Sequence, residues 1–152
     1  MDPFITGIFS GILNKNTRIY NPIFFYGSGD ETRQILTELE RSYRCRYPAE
    51  RIFRVDGSGF TKNILSTIIH GGRERYTNRL TRCDLFIFEG AEYLSNSLVQ
   101  QIFYGVFDKL WEGGKQIVVT ASMPPMNIKK LEPRVRTQLE GGIICNVKME
   151  EG

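Results

Sequence analysis

A glycine turn near the start of the chain has the frame of a phosphate-binding loop. The apolar run 23–26 indicates a strand buried on both faces, and Asp30 is the predicted N-cap of the helix that follows the turn. The turn itself consists of Gly27, Ser28 and Gly29. Phosphate capture at such a turn needs inward-pointing amides, a lysine for the terminal phosphates and a hydroxyl group for Mg²⁺.

The residues after this turn oppose an anion. Between Gly27 and Arg33 the sequence has no lysine, and Asp30 and Glu31 place two carboxylates at the helix end whose dipole attracts negative charge. Their repulsion acts against phosphate binding. We therefore interpret residues 27–33 as an ordinary capped turn that is not expected to bind ATP.

A run of arginines is the second candidate site. It consists of Arg73, Arg75, Arg79 and Arg82, with Tyr76 available for base stacking. Two interpretations stay open: the solvated face of a surface helix, and a face that contacts nucleic acid or a protein partner. The sequence has 20 basic and 17 acidic residues, and the resulting charge of +3 is too small to indicate nucleic acid by itself.

The cysteines and the histidine predict no metal centre and no disulfide framework. Cys45, Cys83 and Cys145 lie far apart without paired spacing, which makes a reducing compartment the default. Cys83 and Cys145 flank predicted strands and are expected to be buried thiols. His70 is the only histidine, and its two glycine neighbours favour a helix end over a general base.

Composition and the N-terminus together predict a soluble cytoplasmic protein. The 152 residues suffice for one domain with its own core, and contents of 41% hydrophobic and 24% charged residues are ordinary for a globular protein. Asp2 stands where a secretion signal would be basic, and no apolar run approaches the length of a membrane span.

Apolar runs that alternate with amphipathic helices predict an α/β fold with a parallel sheet covered on both faces. The predicted strands are 23–26, 51–55, 85–88, 117–120 and 143–147, and the clearest helices run from Asp30 to about Arg46, from the turn at 56–59 to His70, and over 98–111. Residues 1–21 are expected to form a lead-in segment packed on the edge of the domain.

Two helices show a predicted buried face at helical spacing. The first consists of Phe60, Ile64, Leu65, Ile68 and Ile69, and the second of Ile102, Phe103, Val106, Phe107, Leu110 and Trp111.

Several stretches, in chain order, resemble the ATPase core of the bacterial replication initiator DnaA, a member of the AAA+ superfamily. They are residues 4–7, 20–27, 60–63, 83–89, 114–120, 124–125, 128, 131–132, 134–136 and 141–144. The resemblance covers nearly the whole chain. It implies a three-layer core like that of the P-loop NTPases with a five-stranded parallel sheet, forming a single domain over 1–152 without the family's lid and helix-turn-helix domain.

The resemblance also shows which nucleotide-handling residues are altered. Where the family has Gly-Lys-Thr in its Walker A loop, this chain has Glu31, Thr32 and Arg33 after a one-residue deletion. Arg33 would stand at the magnesium hydroxyl position, for which its reach and shape are wrong. The two Walker B acids correspond to Glu89 and Gly90, and glycine can neither accept a proton nor orient a water. Glu92 lies nearby and is interpreted as part of the inherited fold.

Two further positions depart from the family. Ser122 stands where the sensor after the fourth strand has an aspartate, and Gln138 stands where the arginine finger is expected. Arg134 and Arg136 are present close by, but neither is at that position. Four altered positions in one chain predict the loss of ATP hydrolysis.

The resulting expectation is a non-catalytic, DnaA-like pseudo-ATPase that regulates replication initiation by contacting an initiator or another replication protein. No cofactor, metal or small-molecule substrate is expected. Two alternatives stay open: an ATP-binding switch with Arg33 and Glu89 in substitute roles, and a single-stranded nucleic-acid module that uses the arginines of 73–82. The segment 95–99, where the family grips single-stranded DNA, has no cation, and residues 1–10 contain no Gln or Leu that would support a clamp-binding peptide.

Overall fold

The computed structural model describes residues 2–15 and 20–148, which form a five-stranded parallel sheet with helices on both faces. The strands are β1 (Ile23–Tyr26), β2 (Ile52–Asp56), β3 (Leu85–Glu89), β4 (Gln116–Ala121) and β5 (Ile143–Asn146). Their order across the sheet is β2-β3-β4-β1-β5, and every neighbouring pair is parallel. The predicted α/β fold with a five-stranded parallel sheet is confirmed.

The helices make the fold three-layered. One layer contains α1 (Pro3–Leu13) and α2 (Gly29–Arg46), and the other contains α3 (Gly57–His70), α4 (Arg73–Leu80), α5 (Ser97–Glu112) and α6 (Pro133–Leu139). Successive side chains of a strand point to opposite layers. Phe24 accordingly packs in the cluster under α3 and α5, and Phe25 in the cluster under α1 and α2.

The N-terminal segment forms a helix, α1, in the same layer as α2. Ile5, Ile8, Phe9 and Ile12 are buried at helical spacing in α1, which packs against α2. The predicted packing of residues 1–21 on the domain therefore holds for the described part, with a whole helix where the sequence suggested only an edge segment. Residues 16–19 of that segment lie outside the described residues.

The predicted buried face of α3 is wrong over its last two turns. Phe60 and Ile64 are buried, whereas the exposed fractions of Leu65, Ile68 and Ile69 are 37%, 60% and 80%. The physical reason is position: α3 follows β2, the edge strand of the sheet, so only the side that carries Phe60 and Ile64 meets the sheet and α5.

Trp111 is also not a core residue. Its exposed fraction is 48%, because it follows the buried Leu110 by one residue and is therefore turned about 100° away from the buried side of α5.

Two boundaries differ as well. Asp56 ends β2 and caps α3, whose first residue is Gly57, so the turn predicted over 56–59 is already helix.

The three cysteines differ in accessibility, which gives a first testable prediction. Cys45 is exposed, whereas Cys83 and Cys145 are buried free thiols, as predicted for the latter two. Burial, with the charge of Asp84 adding to it, raises the pKa of Cys83 to about 12. We expect a disulfide reagent at pH 8 to titrate one thiol of the native protein rapidly and all three only after unfolding. A Cys45→Ala variant that still reacts rapidly would contradict this.

Among the described helices, none combines the length and apolar character that a bilayer crossing requires. The cytoplasmic location stays a prediction.

Candidate functional site

A polar cleft of about 460 Å³ opens at the carboxyl ends of β1, β2, β3 and β4. It is lined by Gly27, Gly29, Thr32, Arg33, Asp56, Ser58, Glu89, Gly90, Glu92, Tyr93, Thr120, Ala121 and Ser122. Open parallel sheets bind ligands at this edge. The structure thus brings together most of the predicted nucleotide-site residues, while Ser28, Asp30 and Glu31 are not among the lining residues.

The glycine turn is closed by a reciprocal cap. The N-cap of α2 is Ser28, not Asp30 as predicted: its Oγ accepts from the amide of Glu31 at 3.2 Å, and the Glu31 carboxylate accepts from the amide of Ser28 at 3.4 Å. Ser28 stands three residues before Glu31, and this spacing is the sequence signature of a capping box that marks Ser28 as the N-cap. The carboxylate of Glu31 therefore takes an amide that a bound phosphate would need.

The two residues that follow this cap both make contacts within the first turns of α2. Thr32 is buried, and its hydroxyl lies 3.2 Å from the carbonyl oxygens of both Ser28 and Gly29, so it donates back into the helix. Arg33 lies 3.5 Å from the carboxylate of Asp30 across one exposed turn. Of the described residues that line the cleft, Arg33 is the one cation.

Glu89, at the end of β3, is paired with an arginine of the neighbouring strand. Arg54 donates its Nε proton to Glu89, and its Nη1 lies 3.4 Å from a carboxylate oxygen of Glu40. Burial alone would lower the pKa of Arg54, but the hydrogen bonds and charges of Glu89 and Glu40 outweigh it and raise that pKa. Sequence reasoning did not predict Arg54 as a residue of the site. Its position beside β3 is set by the register between β2 and β3.

Glu92 holds the serine at the sensor position. One of its carboxylate oxygens accepts from the amide of Ser122 at 2.8 Å and from the hydroxyl at 2.6 Å. This pair joins the short helical turn Ala91–Tyr93 to the end of β4. The hydroxyl of Ser122 is therefore already committed to a carboxylate of the protein.

The backbone at Gly90 disfavours an acidic side chain at the second Walker B position. Its φ is +89°, in the left-handed region, and a Cβ there would lie 2.7 Å from Cδ2 of Tyr93. Asp56 and Ser58, on either side of the first residue of α3, also line the cleft and were missed because no motif marks them. Within residues 2–15 and 20–148, the cleft thus has three carboxylates, those of Asp56, Glu89 and Glu92, and one guanidinium.

The residues of the predicted arginine-finger region lie away from this cleft. Gln138 donates from Nε2 to the carbonyl of Tyr104 and to the carboxylate of Asp108, both at 3.1 Å, which ties α6 to α5. Arg134 lies over the ring of Tyr104 at 4.6 Å. Arg136 donates to the carbonyl of Leu131 at 3.4 Å. Gln138, Arg134 and Arg136 thus each contact other residues of the same chain.

The arginine run forms part of α4 and its end, but its tyrosine is not free. The hydroxyl of Tyr76 accepts from Asn63 at 3.3 Å, its ring centroid lies 6.1 Å from that of Phe60, and Arg79 lies 5.9 Å above the ring. Arg73 donates to the hydroxyl of Thr67 at 3.0 Å. Tyr76 is half-buried against the core and also lines a depression with Arg75 and Arg79, so a stacking role for its ring stays a prediction.

Within the part of the chain that the structure describes, no group of three or more His, Cys, Asp and Glu side chains is arranged to hold a metal ion. The absence of a metal from the working protein stays a prediction.

The sheet order, the three layers and a cleft at the carboxyl ends of the strands define an AAA+ core of the P-loop type. The chain belongs to the bacterial DnaA ATPase domain family, whose model matches residues 7–146.

Relatives of known function agree with this assignment. The chain is 29% identical over 133 residues to the chromosomal replication initiator protein DnaA of Symbiobacterium thermophilum, a match that covers 86% of this chain and 29% of that protein. It is 30% identical over 133 residues to DnaA of Corynebacterium jeikeium, covering 86% of this chain and 23% of that protein. The chain thus spans less than a third of the length of these relatives.

Domain III of the Thermotoga maritima initiator DnaA superposes with a TM-score of 0.82 at 19% identity, covering 97% of this chain and 64% of that one. DnaA from Aquifex aeolicus, solved with AMPPCP, superposes with a TM-score of 0.81 at 20% identity, covering 97% of this chain and 45% of that one. These structures support the fold.

Proposed function

We propose that this chain is a non-catalytic member of the DnaA family that acts in replication initiation through protein contacts and neither binds nor hydrolyses ATP. The family assignment supports a role in replication. The loss of ATP chemistry and the regulatory role rest on the altered cleft.

The charge of the cleft is the observation that carries the proposal. In the part of the chain that the structure describes, Asp56, Glu89 and Glu92 line the cleft with one cation, Arg33, which also contacts Asp30. Arg54, which does not line the cleft, offsets the charge of Glu89, and the net charge of the cleft stays negative. A triphosphate would meet repulsion where it needs several donors, and with no lysine in the loop a bound Mg²⁺ would have to supply most of the compensation.

The residues that remain are used for structure. Glu31 caps α2, Thr32 donates to its own helix, and Ser122 is held by Glu92. Each of these contacts would have to break before the group could bind a phosphate or Mg²⁺, and breaking a made hydrogen bond costs about 0.5–1.5 kcal/mol. A domain that keeps the family surface without the nucleotide chemistry can contact an initiator without completing an active site.

Calorimetry with ATP and Mg²⁺ tests the nucleotide half of the proposal. We expect no saturable heat up to millimolar ATP, because the cleft offers one paired cation to the phosphates. The Aquifex aeolicus DnaA that was solved with AMPPCP serves as the positive control. Sub-micromolar binding to this chain would contradict the proposal.

Sedimentation of the purified chain with the replication initiator of the same organism tests the partner half. A complex of fixed stoichiometry, formed equally with and without ATP, is expected. No complex with the initiator or with the proteins that it recruits would contradict the regulatory role.

An ATP-binding switch is the second candidate, since Arg33 and Glu89 both line the cleft. It requires phosphate release that exceeds that of a Glu89→Ala variant. The nucleic-acid alternative is tested with a labelled single-stranded oligonucleotide.

A further inference from the structure

A groove between α4 and α5 lies on the face of the molecule that carries the arginine run. It has a volume of about 220 Å³ and is lined by Thr77, Asn78 and Thr81 on one side and by Gln101, Ile102, Gly105, Val106 and Lys109 on the other. Ile102 and Val106 give it an apolar floor, and both belong to or pack against the main core cluster. The floor is therefore fixed by the fold.

Gly105 leaves the middle of this groove open. It lies inside α5, is exposed, and a Cβ placed on it would have no atom within 4 Å. Glycine inside a helix is less stable than any ordinary residue, and neither space nor backbone at this position requires it. Close approach of another chain is a physical reason for a glycine at such a place.

The rim of the groove is positively charged. Asn78 also lines an adjoining depression of about 500 Å³, together with Glu74, Arg75, Arg79 and Arg82. Counting Lys109, four cations and one carboxylate line the two surfaces. For these four cations, no carboxylate of the described ranges 2–15 and 20–148 lies within ion-pair distance.

We propose that this groove docks an acidic segment of a protein partner, with one aliphatic side chain over Gly105 and carboxylates against Arg75, Arg79, Arg82 and Lys109. Unpaired cations beside an apolar floor complement such a segment in both charge and polarity. A single-stranded nucleic acid fits less well, because bases are gripped largely by stacking, whereas the ring beside these arginines, that of Tyr76, lines a neighbouring depression and packs half-buried against the core. The proposal rests on the proposed function, since it names the chemistry of the partner that the chain contacts.

Selection of a phage-displayed peptide library tests the groove directly. The immobilised wild-type protein is the bait, and a Gly105→Leu variant is used for counter-selection, because leucine fills the groove and also favours helix. We expect enriched peptides to combine acidic residues with an aliphatic residue. Enrichment of basic or uncharged peptides, or no enrichment, would overturn the proposal.

Fluorescence anisotropy with the tightest-binding peptide then tests the contact over Gly105 and the contacts with the arginines separately. Gly105→Leu should weaken binding by about tenfold or more, whereas Gly7→Leu, at another exposed helical glycine with no atom within 4 Å of its Cβ, should leave it unchanged. Arg75→Ala with Arg82→Ala should weaken binding and reduce its salt dependence, and Arg41→Ala with Arg44→Ala is the matched loss of two charges from α2. Equal affinity for the wild type and Gly105→Leu would refute the groove.

A labelled single-stranded oligonucleotide provides the competing arm. Oligonucleotide binding that is as tight as the peptide and is lost in both groove variants would assign this face to nucleic acid and overturn the proposal. The outcome of these groove experiments can be distinguished from the outcome of the ATP-binding test. Tight ATP binding would refute the proposed function and leave the peptide-binding results unaffected. Peptides that bind the wild type and the groove variants equally would refute only the proposal that the groove is the docking site.

Discussion

Replacing Phe103 by alanine is expected to lower the free energy of unfolding by about 3–5 kcal/mol, the range found for large aromatic side chains in cores. Phe103 is 1% exposed, and its ring centroid lies 4.9 Å from that of Phe88 and 6.4 Å from that of Phe60. Truncation removes buried apolar area, edge contacts between rings, and the filling of the space between α3, α5 and β3. Urea unfolding followed by circular dichroism measures the change.

Phe4→Ala is the matched control, because Phe4 is 54% exposed on α1. Its effect should stay within about 0.5 kcal/mol. If the two variants unfolded at the same urea concentration, the cluster around Phe103 would not be the core that joins α3 and α5 to the sheet. Since α5 carries the floor of the groove, Phe103→Ala should also weaken peptide binding there.

Replacing Gly142 by alanine is expected to destabilise the protein by about 3 kcal/mol or more, at the upper end of overpacking effects. A Cβ on Gly142 would lie 1.8 Å from the carbonyl oxygen of Pro22 and 2.9 Å from its nitrogen. That oxygen accepts from the amide of Ile143 at 3.1 Å, one of the bonds that join β5 to β1. Because the obstacle is backbone, relief requires β5 to move. Thermal and urea unfolding measure the loss.

Gly105→Ala provides the opposite control. With no atom within 4 Å of its Cβ, the alanine should be neutral or should stabilise the protein by about 0.5–1 kcal/mol. A Gly142→Ala variant as stable as Gly105→Ala would show that β5 is not held against Pro22 as described. Since β1 leads directly into Gly27, we also expect Gly142→Ala to disturb the cleft.

The three inner strands, β1, β3 and β4, were predictable because each is a short apolar run with both faces covered. Residues 23–26 match β1 in full, and 117–120 lie inside β4. Helix faces were less predictable. The spacing of Leu65, Ile68 and Ile69 is indistinguishable from that of buried residues, yet α3 lies over the edge of the sheet and has nothing to cover these three side chains. Periodicity reports that a stripe is apolar, not that another element lies opposite.

The residues of the candidate site were partly predictable from the family resemblance. It located Thr32, Arg33 and Glu89, all of which line the cleft. It did not give their partners, because the pairs that decide the charge of the cleft are distant in sequence. Arg54 meets Glu89 across two neighbouring strands, and Ser122 meets Glu92 from β4.

The sequence alone determined the α/β class, the family and the absence of a lysine from the glycine turn, because these depend on local pattern and on residue identity at aligned positions. Only the tertiary structure decided how each charge is used. Glu31 caps a helix, Arg54 offsets Glu89, and the arginines of α4 stay without carboxylate partners among the described residues. The physical reason is that electrostatic interactions depend on distances between side chains, which the register of the sheet and the packing of helices set.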